Sequence, residues 1–419
     1  MDTNERIDRI LGAIWGYSSL RPGQRAAITA QINCQDALLI APTGGGKTLT
    51  YQLPALMRPG VTIVITPLIA LMKDQVDGAR KRGIYAFALN HNTSKEEYLS
   101  ISTMLHTRTC KLLYISPEKL LTPTFKTFLK SIVVSAIVVD EAHCIAQDGP
   151  EFRPEYLQIA EAIKEHHVPV FACTATATLE TEKVIIDALQ LKTPVIIRGT
   201  FNRPNLYYEV RPKEIDDISQ IQALAGSMEG SGIIYRTTRA QTDETATKLR
   251  RLTLNAMPYH AGMSPVDRIR IQDMFVSGKV QIIVATIAFG MGIDKPDIRW
   301  VIHEDIPKNI EGYYQETGRA GRDGNPAKCI LLFSKRDISL TRGFIERTLS
   351  VENRNKTYTQ FLEMLAYCKT DKCRRRQLLN YFGEAAPDRC GNCDVCIHHA
   401  AQMFSTQAGK MLNETTAWF

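Results

Sequence analysis

Short, nearly unbroken apolar runs recur along the chain, each closed by a turn-former or a small residue: DALLIAP, VTIVITP, KLLYISP, AIVVDEA and VPVFACTA, then SGIIYR, QIIVAT, RWVIHED and CILLFS. A strand with one wet face alternates apolar and polar residues, whereas a strand buried on both faces reads as a continuous run, as in a parallel sheet. Longer stretches of helical period separate the runs, so the expected fold class is α/β. The rhythm pauses at TFNRPNLYYEVRPKEIDD, residues 200–217, where Pro, Asn and charges take over, and a domain boundary is expected there. After about residue 340 the strand pattern stops and an Arg- and Cys-rich helical segment follows. The expected units are residues 1–203, 204–340, a small third unit at 341–400 and a short tail at 401–419.

Composition changes this picture little. At 419 residues, 44% hydrophobic and 23% charged, the chain is an ordinary globular protein, which excludes disorder and fibrous repeats as its main character. The N-terminal segment MDTNERIDRILGAIWGYSSL lacks the basic-then-apolar layout of a signal peptide, and no run of about 18 apolar residues occurs. A cytoplasmic protein with no membrane partner is expected. The formal charge of +7 suits a polyanionic partner. Of the ten cysteines, Cys34, Cys110, Cys144, Cys173 and Cys329 stand singly and read as small buried hydrophobes, while the other five crowd between Cys368 and Cys396.

Chemistry enters with LLIAPTGGGKTLTYQLPAL. Its pattern from Ala41 to Thr48 places a glycine-rich loop between a strand and a helix, the context of a phosphate-binding P-loop. Thr43, Gly44, Gly45 and Gly46 let backbone N–H groups close on phosphates, Lys47 neutralises β/γ charge, and the Thr48 hydroxyl ligates Mg²⁺. Downstream, AIVVDEAH ends an apolar strand in Asp140 and Glu141, one to hold Mg²⁺ and the other to orient the attacking water. In YYQETGRAGRDG, Arg319 and Arg322 lie three apart and are expected to point to one side, toward the charge that develops on a transferring phosphoryl group. The P-loop and these arginines fall in different expected domains, so nucleotide is expected between them.

Near the C-terminus, sixteen residues separate Cys373 from Cys390, and a CxxCxxC run carries Cys390, Cys393 and Cys396. In a cytosolic protein four soft thiolates at such spacing suit a closed, structural Zn²⁺ site, whose loss is expected to unfold the third unit alone. Cys368 falls outside the pattern and is expected to be a free thiol. Arg374, Arg375 and Arg376 read either as a solvated helix face or as phosphate contacts.

The order of GYSSLRPGQ, APTGGGKT, TPLIALMKDQV, YISPEKL, DEAH, TATA, SGIIYRTTR, YHAG, VATIAFGMGIDKPDIR and QETGRAGRDG resembles the RecQ-type helicases of superfamily 2, DEAH-box subgroup, over about residues 10–396. The resemblance implies two tandem RecA-like parallel-sheet domains followed by a helical zinc module. It implies ATP-driven 3′ to 5′ movement on single-stranded and partly duplex DNA, in recombination and repair, by a monomer at the nucleoid of a bacterial-type cell. By matching motifs, Tyr17, Arg21 and Gln24 hold the adenine, Asp294 lies by the ribose, Gln315 joins the catalytic set and Arg322 is the arginine finger. His143 and the segment carrying Thr174 and Thr176 couple nucleotide state to domain closure.

Two departures stand out. After the zinc cluster the sequence holds only a short tail in place of the winged-helix and terminal helical domains of many relatives, so the strand-separating wedge that the winged helix often carries is expected to be missing unless this sequence is a fragment. In the loop AQDGPEFRPEY, an aromatic-rich DNA sensor in the family, Gln147, Gly149, Phe152, Arg153 and Pro154 are kept. Asp148 and Pro150 replace the usual Trp and His, and an aspartate neither stacks on a base nor attracts phosphate. Competing readings are an RNA-directed superfamily 2 helicase, disfavoured by the zinc module, and a DNA-binding adaptor with a regulatory ATPase, which has no need of the full set of catalytic residues.

Overall fold

A computed structural model of the chain describes residues 2–67, 69–90, 93–146, 154–290, 295–348 and 351–398. It divides into two compact units, residues 1–200 and residues from 201 onward. In the first, β1 (Ala37–Ile40), β2 (Val61–Ile65), β3 (Ala86–Leu89), β4 (Leu112–Ile115), β5 (Val134–Val139), β6 (Val170–Thr174) and β7 (Val195–Arg198) form one sheet in the order β3-β4-β2-β5-β6-β1-β7. Every described pairing in it is parallel. In the second, β8 (Leu206–Pro212), β9 (Ser231–Tyr235), β10 (Ala256–Tyr259), β11 (Ile282–Ala285), β12 (Ile298–His303) and β13 (Ala327–Phe333) run parallel in the order β10-β11-β9-β12-β13-β8.

The central strands β1, β2, β4, β9 and β11 are buried at every position, as their unbroken apolar runs require. Leu39, Tyr51, Val64, Val138 and Phe171 lie in the core of the first unit, and Ile234, Val284, Trp300, Ile302 and Ile330 in that of the second. Gly232 of β9 has a packing reason: a Cβ there would run into the Trp300 indole of β12. Two helices of the second unit start where short polar side chains accept orphan N–H groups, Thr238 accepting from Gln241 N and Ser264 from Asp267 N with Pro265 next in line.

The boundary expected within 200–217 falls at its start, between residues 200 and 201, and the rest of that segment contains β8, an edge strand running beside β13. The Cys-rich helical segment packs within the second unit and does not stand apart from it. No described helix is long and apolar enough to cross a membrane.

Candidate nucleotide site and metal centre

β1 stops at Ile40, and after a six-residue turn the helix Lys47–Met57 begins. Gly44 and Gly46 take left-handed backbone angles, φ 80° and 77°, and a Cβ on Gly46 would strike the Gln24 amide. Thr43 and Thr48 flank the glycines. Lys47 Nζ donates to the Ala41 carbonyl at 3.0 Å, holding the loop closed over its own backbone. Gln24 Nε2 donates to the Gly45 and Gly46 carbonyls at 3.3 and 3.2 Å, Gln24 Oε1 accepts from Arg21 N at 2.8 Å, and Arg21 Nη1 donates to the Gly44 carbonyl. The two residues expected at an adenine thus grip the phosphate loop itself. Tyr17 is 55% exposed, which favours a surface contact over the role of a packed aromatic.

The acidic pair follows β5. Asp140 Oδ1 accepts from Glu141 N at 2.9 Å and from the Cys173 thiol at 3.2 Å, and the Asp140 carbonyl accepts from the Tyr156 hydroxyl at 3.0 Å. Burial raises the Asp140 carboxyl to about 6, with the charge of Glu141 adding to the shift and that of Lys47 opposing it. Burial, then the charge of Asp140, also holds the Cys173 thiol well above its ordinary value, so it stays a donor. Glu141 sits at φ 50°, and its Oε2 is buried with no aligned hydrogen-bond partner among the described residues. The buried Asp140 carboxylate and the partly buried Glu141 beside it, with the Thr48 hydroxyl, are oxygen donors of the kind that suits Mg²⁺.

His143 connects this pair to β6. Its Nδ1 lies 2.8 Å from Thr174 Oγ1 and 3.3 Å from Glu141 Oε2, and Thr174 Oγ1 in turn donates to the Thr176 carbonyl at 3.1 Å. Asp294, Gln147, Asp148, Gly149, Pro150, Phe152 and Arg153 lie outside the described residues.

In the second unit, Asn309 caps the helix Ile310–Thr317, which carries Gln315 in a half-buried position. Arg319 is buried and its Nη1 donates to the Gly290 carbonyl, whereas Arg322 is half-exposed in the following turn. The two arginines expected on one side therefore differ in burial: Arg319 is buried, and Arg322 is partly exposed with its Nε enclosed.

The sulfurs of Cys373, Cys390, Cys393 and Cys396 lie within 4.8 Å of one another. Zn–S bonds of about 2.3 Å in a tetrahedron put sulfurs roughly 3.8 Å apart, so the four residues fit Zn²⁺. The hydrogen bond between the Cys390 and Cys393 sulfurs draws Cys393 below the ordinary thiol range and pushes Cys390 above it. Cys368 is buried outside the cluster, its thiol pushed up to about 12 by burial. Cys34, expected to be buried, is exposed, on a left-handed turn after a helix.

The metal segment lies along the free edge of β8. Successive residues of a strand face opposite sides of it, and those of even number here face outward. Tyr208 bridges to Cys393, Val210 N donates to Asp394 Oδ2 at 3.0 Å, and the Leu206 carbonyl accepts from Arg375 Nη2 at 2.6 Å. Asn392 Nδ2 reaches the Pro204 carbonyl at 3.0 Å. Neither reading of the arginine run survives for its first two members. Arg374 is buried against Asp394, with Nε–Oδ1 3.0 Å, and Arg375 is buried on backbone carbonyls; only Arg376, paired with Asp388, lies on the surface. Phe382 stacks on Phe201, centroids 4.3 Å apart, and Tyr381 donates to Glu311 at the start of the helix that carries Gln315.

Sequence reasoning missed Cys173, whose position next to TATA was the available signal, and Asp394, which lies within the CxxCxxC run.

Three family models match in order: DEAD/DEAH box helicase over residues 21–184, Helicase conserved C-terminal domain over 215–324 and RecQ zinc-binding over 335–397. The ATP-dependent DNA helicase RecQ of Bacillus subtilis is 40% identical over 410 residues, covering 97% of this chain and 69% of the relative. That of Pasteurella multocida is 41% identical over 390 residues, covering 93% of this chain and 62% of its own length. The chain thus spans about three fifths of the length of this relative and of its Haemophilus influenzae counterpart, of which it covers 63%. Among solved structures, the Mycobacterium smegmatis helicase Lhr bound to ssDNA and AMP-PNP superposes with a TM-score of 0.62 at 21% identity, over 84% of this chain and 51% of that one. The helicase MrfA bound to DNA gives 0.65 at 18% identity, over 93% and 60%. At such identity these two speak for the tandem parallel-sheet fold alone. Sequence identity sustained through both sheets and the four-cysteine segment goes further, and this chain belongs to the RecQ-type ATP-dependent DNA helicases.

Proposed function

We propose that this chain is the motor portion of an ATP-dependent DNA helicase that moves 3′ to 5′ on single-stranded DNA and separates partly duplex DNA in recombination and repair. The observation that carries the reading is the contact path from Glu141 through His143 to Thr174, which ties a hydrolytic carboxylate to the segment expected to couple nucleotide state to domain closure.

In this reading the N–H groups of the Gly44–Thr48 turn receive the phosphates, and Lys47 exchanges the Ala41 carbonyl for the β/γ oxygens. Gln24 and Arg21 release the loop carbonyls as they take the adenine, with Tyr17 against the base and Asp294 by the ribose. Thr48 and Asp140 hold Mg²⁺, which when bound neutralises phosphate charge. Glu141 orients the attacking water. Gln315 and Arg322 of the second unit serve the same reaction, Arg322 supplying positive charge as the γ-phosphoryl leaves, while Arg319 holds the Gly290 turn. Gln147, Phe152, Arg153, Thr174 and Thr176 carry the DNA signal. Zn²⁺ on the four cysteines is structural. The protein works as a monomer in the cytoplasm, at the nucleoid.

ATP hydrolysis measured with no polymer, with single-stranded DNA and with RNA tests the proposal, together with displacement of a strand from a 3′-tailed duplex. Stimulation by DNA well above that by RNA is expected. Equal or greater stimulation by RNA would favour an RNA-directed motor, and no hydrolysis under any condition would leave only a binding role.

A further inference from the structure

The end of β6 meets both acidic residues that follow β5. Thr174 reaches Glu141 through His143, with 2.8 Å from Thr174 Oγ1 to His143 Nδ1 and 3.3 Å from there to Glu141 Oε2. Its neighbour Cys173 reaches Asp140 directly, Sγ to Oδ1 at 3.2 Å, from a fully buried position. Adjacent strand residues point to opposite faces, so one strand end addresses two consecutive carboxylates by two separate contacts. Tyr51 is also fully buried and close enough to Asp140 for that carboxylate's charge to help raise its hydroxyl well above its ordinary value, after burial and the charge of Tyr114. With the Glu141 amide at 2.9 Å, the thiol completes the donors on Oδ1 and leaves the other oxygen for an incoming ligand.

We propose that Cys173 is a positioning residue of the nucleotide site: its S–H fixes the rotation of the Asp140 carboxylate and forms a second arm, beside Thr174–His143–Glu141, between the Thr174–Ala177 segment and the hydrolytic centre. The inference rests on the proposed role of Asp140 as a Mg²⁺ ligand. A displacement of the end of β6 is then felt by the metal ligand and by the water-orienting residue together. An apolar residue at 173 fills the same space and loosens only the first.

The test compares Cys173→Val, which fills the site without a donor, Cys173→Ala, and Cys173→Ser, which keeps a donor. The readout is the Mg²⁺ concentration that half-saturates binding of a fluorescent ADP analogue, with hydrolysis and melting temperature measured alongside. A thiol is a weak donor but its acceptor is charged, so Val and Ala should raise the required Mg²⁺ about three- to tenfold, with Ser within about twofold of the parent. Binding without Mg²⁺ should be unchanged in all three. Val, Ala and Ser all matching the parent would overturn the proposal. So would equal impairment of all three in step with lower melting temperature, since that would mean packing alone. A parent that binds the analogue in a Mg²⁺-dependent way yet never hydrolyses ATP would sink the proposed motor function while leaving this comparison decisive.

Discussion

Removing zinc, by chelation or by Cys393→Ser, should loosen the outer edge of the second sheet at β8 and leave its centre intact. The outward groups of β8, and Pro204 two residues before it, meet the metal segment through Val210 N–H to Asp394, the Leu206 carbonyl to Arg375, and the Pro204 carbonyl to Asn392. Two of these have a charged partner, worth about 1.5 to 3 kcal/mol each, and the third about 0.5 to 1.5 kcal/mol, so release of the segment forfeits roughly 4 to 7 kcal/mol. A domain of this size is stable by about 5 to 15 kcal/mol, and each kcal/mol moves its melting temperature by about 2 to 4 °C, so a fall on the order of 10 °C or more is expected for the second unit. Hydrogen exchange followed by mass spectrometry reads the effect locally. Amides in Leu206–Pro212 should exchange faster in metal-free protein while those of Ser231–Tyr235 in β9 stay protected. Zinc-free protein in which Leu206–Pro212 exchanges as slowly as in the metal-bound form would refute the reasoning. The hydrogen bonds from the cysteine-bearing segment to β8 widen the sequence-based expectation: the strand edge should loosen together with the zinc-binding unit. An open strand edge is also a template for pairing with another chain, so the metal-free protein should self-associate at high concentration.

Lys47→Ala and Glu141→Gln should each abolish DNA-stimulated ATP hydrolysis with the melting temperature held, and Glu141→Gln should still bind ATP; parental hydrolysis by either would mean the site is misassigned. His143→Ala should keep nucleotide binding but reduce the ratio of DNA-stimulated to basal hydrolysis about 5- to 150-fold, the range of ordinary coupling energies, and an unchanged ratio would show that the signal travels elsewhere. Arg375→Met should destabilise the second unit by about 3 kcal/mol or more by stranding the carbonyls it holds, whereas Arg376→Ala should be nearly silent; the salt dependence of DNA binding should match the parent for Arg375→Met, against a phosphate-contact role. Asp148→Trp should lower the DNA concentration that half-saturates hydrolysis, since a stacked base is worth about 1 to 3 kcal/mol, and superimposable titrations would make position 148 irrelevant.

What the sequence determined by itself was the set of strands that are enclosed on both faces and the chemistry that is local in the chain. Each of the nine apolar runs became a strand, and the P-loop, the Asp140–Glu141 pair and the four-cysteine spacing involve residues whose function follows from near neighbours in sequence. The four strands not anticipated are β3, β7, β8 and β10, the outermost strands of the two sheets. An edge strand lacks a neighbour on one side and tolerates Pro, charge and half-exposed positions, so LYYEVRP showed only a break in the apolar rhythm at the domain boundary and not the strand β8 that it forms. Only tertiary structure decided what distant segments do to one another. Arg374 and Arg375 looked like surface charge until the Asp394 carboxylate and the β8 carbonyls were brought to them. Cys173 looked like filler because its partner lies 33 residues away in sequence, and two parallel strands set it against Asp140. Periodicity reports the environment of a strand's faces, but not which polar group a buried side chain meets, because that meeting is made by pairing across the sheet.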